Sequence, residues 1–162
     1  MISETTIDDV TARISSVTPD QAQELVQQMG AEQPIVLAYL IASSEYEEFD
    51  QEESELFLFL GIALWQIMKQ RVNGCPIVSD KVLEAAEKAN EESLDKLAAD
   101  SSGDFLSATV SIIENYPEPG VLRYLTEVLF EASSEETPLM REGNLGYAFL
   151  SLKVLLDAFV EP

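Results

Sequence analysis

The chain contains no histidine. That excludes imidazole acid–base catalysis, Ser-His-Asp triads and imidazole metal sites. The Glu-x-x-His ligand pairs of ferritin-like di-metal sites are excluded with them. A single cysteine, Cys75, rules out an internal disulfide, and the Asn73-Gly-Cys-Pro76 stretch carries no metal-ligand spacing. No imidazole can activate that thiol and its neighbours supply no obvious positive field, so it reads as a turn cysteine. No phosphate-cradling glycine motif occurs; Gly61, Gly74, Gly103 and Gly120 stand alone. Positive charge is scarce as well: 9 Lys and Arg stand against 30 Asp and Glu, for a formal net charge of −21. Such a balance repels nucleic-acid phosphate and anionic membranes, and leaves basic proteins or cations as partners. Solubility or adaptation to salt would account for the same acidity without any partner. The start, Met1-Ile-Ser-Glu-Thr-Thr-Ile-Asp-Asp9, lacks the basic-then-apolar pattern of a signal peptide, and nothing suggests lipidation or a membrane anchor. A reducing, cytoplasmic setting is the expectation.

What the chain does have is apolar material. Its 162 residues are 46% hydrophobic, enough for one domain with a substantial core, residues 1–162 together. From Leu56 to Trp65 no residue is charged or strongly polar. A helix through that run is apolar on every side and belongs in a core or a membrane. The run is well short of the ~18 residues a spanning helix needs. It is therefore expected to be a buried central helix, Leu56–Met68, with Gly61 letting a neighbour cross closely and Asn73–Gly74 closing it.

Periodicity and punctuation predict an all-α chain of about eight helices. Ile7, Val10, Ile14 and Val17 mark a first helix over 6–16. Thr18-Pro-Asp-Gln21 reads as a capping box opening a second, closed by Gly30. Pro34 opens a third through Ala42. Asp50 is placed to cap the central helix, with Glu53 three residues on. Ser79 caps a helix over 80–99 whose apolar line is Val82, Ala86, Ala89, Leu94 and Leu97. Asp104 caps a sixth helix through Ile113, a seventh runs from Val121 to about Ala132, and Thr137-Pro138 signals the last.

Pro34-Ile-Val-Leu-Ala-Tyr-Leu40 and Pro119-Gly-Val-Leu-Arg-Tyr-Leu125 match at five of seven places, 85 residues apart. Each is followed by Ser-Ser-Glu (Ser43–Glu45, Ser133–Glu135) and then by a long apolar helix, with Phe59-Leu60 matching Phe149-Leu150. These matches predict two similar three-helix units, 18–74 and 104–162, joined by the helix at 80–99 around the central helix. At the level of architecture this resembles helical-repeat proteins of the armadillo or HEAT type, although the period here is far longer and only two units exist.

Carboxylates are the remaining reactive groups. Glu84-x-x-Glu87 and Glu92-x-x-Asp95 set acid pairs at i, i+3, a spacing that can hold Mg²⁺. These pairs resemble the ExxE and ExxD pairs of the all-helical nucleotide pyrophosphatases, where they lie on separate facing helices. Here both lie on one helix beside Lys88 and Lys96, which favours a solvated face. The denser feature is the segment from Ser43 to Glu55, with seven acids (Glu45, Glu47, Glu48, Asp50, Glu52, Glu53, Glu55) and no base. Capping explains Asp50, and the helix dipole favours Glu52, Glu53 and Glu55. Glu45, Glu47 and Glu48 have no such local reason.

The expected function is a non-enzymatic acidic interaction module: an adaptor, chaperone or inhibitor of a basic protein partner. Glu45, Glu47, Glu48, Asp50 and Glu52 are its candidate docking residues, with no cofactor, metal, direct nucleic-acid contact or membrane involved. The alternatives are a Mg-dependent carboxylate enzyme of the pyrophosphatase type and a structural or regulatory subunit that acts by homo-oligomerisation.

Overall fold

The computed structural model of the chain describes residues 1–72, 74–99 and 105–160, and leaves out the side chains of 92–99, 105–108 and 111. Among the described residues there are eight helices and no strand: α1 (Glu4–Ser15), α2 (Pro19–Glu32), α3 (Pro34–Ser44), α4 (Gln51–Met68), α5 (Asp80–Ala99), α6 (Phe105–Glu114), α7 (Pro119–Ser134) and α8 (Glu142–Val160).

The helix starts follow local chemistry. Thr18 Oγ1 accepts from the Gln21 amide at 3.2 Å while Gln21 Oε1 accepts from the Thr18 amide at 2.9 Å, with Pro19 at the first helical position. Asp50 and Glu53 form the same reciprocal pair at the start of α4. Ser3 caps α1, and Ser79 Oγ accepts from the Val82 amide at 3.3 Å. The expected cap at Asp104, and the Ser101–Asp104 break before it, lie outside the described residues.

Helix ends depart more from expectation. Gly30 does not close α2, which runs on to Glu32 and stops because the next residue, Gln33, precedes the ring of Pro34. α4 ends at Met68, six residues before the expected Gly74; that glycine instead sits in the following turn with φ of +72°. Thr137-Pro138 opens no helix. Residues 135–141 form a bent link, and the Leu139 amide turns back to the Ala132 carbonyl at 3.0 Å. α8 begins at Glu142.

α4 touches α1, α2, α3, α7 and α8, while α8 touches α4, α5 and α7. From Ala63 to Met68 every residue of α4 is buried, but Leu56, Leu58, Phe59 and Ile62 are only half-buried. The enclosure expected for the whole run therefore holds for its second half. An 18-residue helix is ~27 Å long, and its first turns reach the surface, where Glu52 and Glu55 meet solvent. α8 contributes Leu152, Leu155, Leu156 and Phe159 to the core, all fully buried. By length and composition this 19-residue helix could cross a membrane, but 61% of its apolar window is covered by the rest of the chain. Gly61 has the expected role: a Cβ there would come within 2.7 Å of Leu40 Cδ1 and overlap its other methyl, so only glycine lets α3 approach α4 here.

On α5 the buried line is Leu83, Ala86 and Asn90, with Val82 half-buried and Ala89 exposed. The phase differs from the expected one because polar Asn90 turns inward. It donates to the Ala86 carbonyl and to Asp157 and accepts from Lys153, so its burial leaves nothing unsatisfied. Leu94 and Leu97 fall outside the described side chains.

Candidate functional site

Residues 45–50 cross from α3 to α4 as a short strap. Its backbone is tied to the end of α3 by the Glu45 and Tyr46 amides, which reach the Ala42 and Ser43 carbonyls at 3.3 Å each. The alternation of aromatic and acidic residues then sorts the side chains. Tyr46 stacks on Tyr147 of α8 with ring centroids 3.8 Å apart and planes 12° apart. Phe49 meets both tyrosines edge-on, at 5.3 and 5.4 Å, and leans on Phe57 at 5.7 Å. Offset and edge-on pairs of this kind add to what burial alone contributes. The Tyr147 hydroxyl donates to the Ser43 carbonyl at 3.1 Å. With the rings turned in, Glu45, Glu47, Glu48 and Asp50 turn out, and all four are exposed, as is Glu52 on the first turn of α4.

Beneath the strap lies Glu53, a fully buried carboxylate. Its Oε1 accepts from the Asp50 amide at 3.0 Å and from Arg141 Nη2 and Nε at 2.8 and 3.2 Å. Its Oε2 accepts from Asn144 Nδ2 at 2.8 Å and from the Arg141 amide at 3.0 Å. Burial alone would push this carboxyl's pKa up. The Arg141 guanidinium, then the Asp50 amide, the Asn144 side chain and the Arg141 amide outweigh burial and hold it at about 2. The same two side chains grip the strap itself: Asn144 Nδ2 donates to the Glu48 carbonyl at 3.0 Å, and Arg141 Nη2 donates to that carbonyl too. Glu53 in turn raises the pKa of Arg141 through its hydrogen bonds and its charge.

The five sequence-predicted acids are all exposed along residues 45–52. Among the described residues none of them takes part in an ion pair. What sequence reasoning missed is the anchor: Arg141, Asn144 and the inward turn of Glu53. The available signal was faint, since Arg141 is the only basic residue between Arg123 and Lys153.

Two further polar clusters knit helices together. Glu118, 2% exposed, accepts from the Ile2 amide at 2.9 Å and pairs with Arg71 Nε at 3.1 Å. Asp157 accepts from the Tyr116 hydroxyl at 2.5 Å and from Asn90 and Lys153 at 2.9 Å each. That cluster borders a hollow of about 550 Å³ floored by Val82, Ala86 and Val160. Cys75 is half-buried, and burial pushes its thiol up to about 11, far from a reactive thiolate. Glu84 and Glu87 are exposed on α5, and the side chains of Glu92 and Asp95 lie outside the described residues. Among the described residues no group of three or more carboxylates and thiols could hold a metal ion.

No protein-family model, no curated protein and no solved structure matches this chain.

Proposed function

We propose that this chain is a non-enzymatic, acidic protein-interaction module whose strap receives a basic partner. The observation that carries this reading is the anchored display: Glu45, Glu47, Glu48 and Asp50 are exposed and, among the described residues, without ion pairs on a backbone held by Arg141 of the 135–141 link and Asn144 of α8. Acids that serve solubility alone work as well on a loose loop. Charges on a tethered backbone lose less conformational freedom on binding, and they steer an oppositely charged surface toward one edge. The lone thiol of Cys75 suits the reducing cytoplasm in which we place the module.

The test replaces Glu45, Glu47 and Glu48 together by Lys, confirms the fold by circular dichroism, and repeats a pull-down from native cytoplasm at two salt concentrations. Wild type should retain partners best at low salt, and the variant should lose them. The same partners in the same amounts on a folded variant would return the strap to the status of a solvated surface.

We also infer a single domain over 1–162, built from two related three-helix units (18–74 and 104–162) joined by α5 and packed around α4. Support comes from the residues ahead of the two matched prolines. Gln33 and Glu118 are each 2% exposed, each opens its helix without a side-chain cap, and their φ/ψ values are −136/65° and −124/72°. Each turns inward to accept a distant amide, Val78 for Gln33 and Ile2 for Glu118. Superposing α2–α4 on α6–α8 tests the duplication, which fails if α3 and α7 do not overlay.

A further inference from the structure

α3 has no charged residue from Pro34 to Ser44, yet it lies at the surface. Val36, Leu40 and Ser43 face inward, while Pro34, Ala38, Ile41 and Ala42 are exposed, Ile41 at 45%. Those exposed positions recur at i, i+4, i+7 and i+8, so they form one stripe along the helix. The next position on that stripe, i+11, is Glu45, the first acid of the strap. A surface helix ordinarily turns polar residues outward. Its neighbour α2 does so with Gln23, Glu24, Gln27 and Gln28. α3 instead presents an apolar strip that ends in exposed carboxylates.

We propose that this face of α3 docks an amphipathic basic helix from a partner protein. The partner's apolar side would lie on Ala38, Ile41 and Ala42, and its Lys or Arg residues would meet Glu45, Glu47 and Glu48. The inference rests on the reading of the strap as the docking edge for a basic partner, and adds the shape of what docks there. Charge selects the occupant: a second copy carries the same net −21 and the same carboxylates, and repels itself at this edge. Shape agrees. Positions three and four apart share one face of a helix, so a second helix laid along α3 would meet Ala38, Ile41 and Ala42 together. Small Ala38 and Ala42 on either side of Ile41 let a second helix approach closely.

The experiment uses the full chain and two synthetic peptides of Leu and Lys, about 18 residues or five turns long. In one the leucines form a single helical face; in the other the same composition is scrambled. Binding is followed by fluorescence anisotropy for wild type, Ile41→Asp, the Glu45/Glu47/Glu48→Lys variant, and a control with Glu84, Glu87 and Glu91 of α5 changed to Lys. Circular dichroism checks each fold, and sedimentation reports each oligomeric state. Ile41→Asp adds a negative charge, so a purely electrostatic edge would hold a cationic peptide at least as well as before. The expected result is an amphipathic peptide bound about tenfold more tightly than its scramble, with Ile41→Asp removing that preference and the strap variant weakening both peptides more than the α5 control does. Equal binding of both peptides, unchanged in Ile41→Asp but lost in the strap variant, overturns the α3 inference and leaves the charge reading standing. A strap variant that binds like the α5 control overturns both. A wild-type dimer that Ile41→Asp dissociates assigns the stripe to a second copy and overturns the inference as well.

Discussion

The link between α3 and α4 (45–50) and the link between α7 and α8 (135–141) each follow a Ser-Ser pair that ends the preceding helix. In both, a serine hydroxyl bonds to a carbonyl one turn back: Ser44 to Ile41 and Ser134 to Phe130, each at 2.8 Å. Beyond that point they differ. The first link turns two aromatic rings in and its acids out, and closes on a capping box. The second buries Met140 and sends Arg141 across to Glu53 beneath the first. The acidic display of one link is therefore held by the cation of the other. Two segments that both follow a Ser-Ser pair thus form complementary parts of one surface.

The largest effect should come from breaking that complement. Glu53→Ala leaves the Arg141 backbone amide without its acceptor and takes from the buried Asn144 amide one of its two, and should cost about 3 kcal/mol in urea unfolding. The exposed pair Arg123–Glu4 is the matched control, and Arg123→Ala should stay within about 1 kcal/mol of wild type. Arg141→Ala should destabilise in the same direction as Glu53→Ala. The pH dependence has a definite sign. The folded value of Glu53, about 2, lies below its ordinary 4.5, so its stabilisation is complete above about 4.5 and is lost as the pH falls toward 2. Glu53→Gln should flatten the urea-midpoint curve across that window, and an unchanged slope would show that the clamp is not charged.

A smaller effect should separate the two apolar helices that follow the links. Gly61→Ala in α4 sets a methyl into Leu40 and should cost about 1–3 kcal/mol by thermal or urea melting. Gly143→Ala near the start of α8, where a Cβ meets nothing within 4 Å, should cost nothing measurable. The smallest effect compares the matched tyrosines. The Tyr39 hydroxyl donates to the Ser151 carbonyl at 2.6 Å, whereas the Tyr124 hydroxyl has no hydrogen-bond partner among the described residues. Burial raises both pKa values, that of Tyr124 to about 12. Tyr39→Phe should cost about 1 kcal/mol and Tyr124→Phe close to zero, so equal losses would restore the equivalence that the duplication suggests.

Sequence alone determined what depends on neighbours in the chain. The Thr18–Gln21 and Asp50–Glu53 boxes, Pro19 and Pro34 at helix starts, and the all-helical class are written in short-range spacing, because a cap needs only residues three apart. The absence of histidine likewise excluded imidazole chemistry without any coordinates. Tertiary structure alone decided the rest. Glu53 looked like one more acid at a helix start, and it became a buried clamp because Arg141, 88 residues away, arrives on a link whose path no local signal predicted. Gly30 and Thr137-Pro138 carried stop and start signals that packing overrode, and Asn90 shifted the buried line of α5 because Lys153 and Asp157 wait for it on α8. A local motif is satisfied within one turn of helix, but a buried charge is satisfied only by whatever the fold carries to it, and that partner's place in the chain is free.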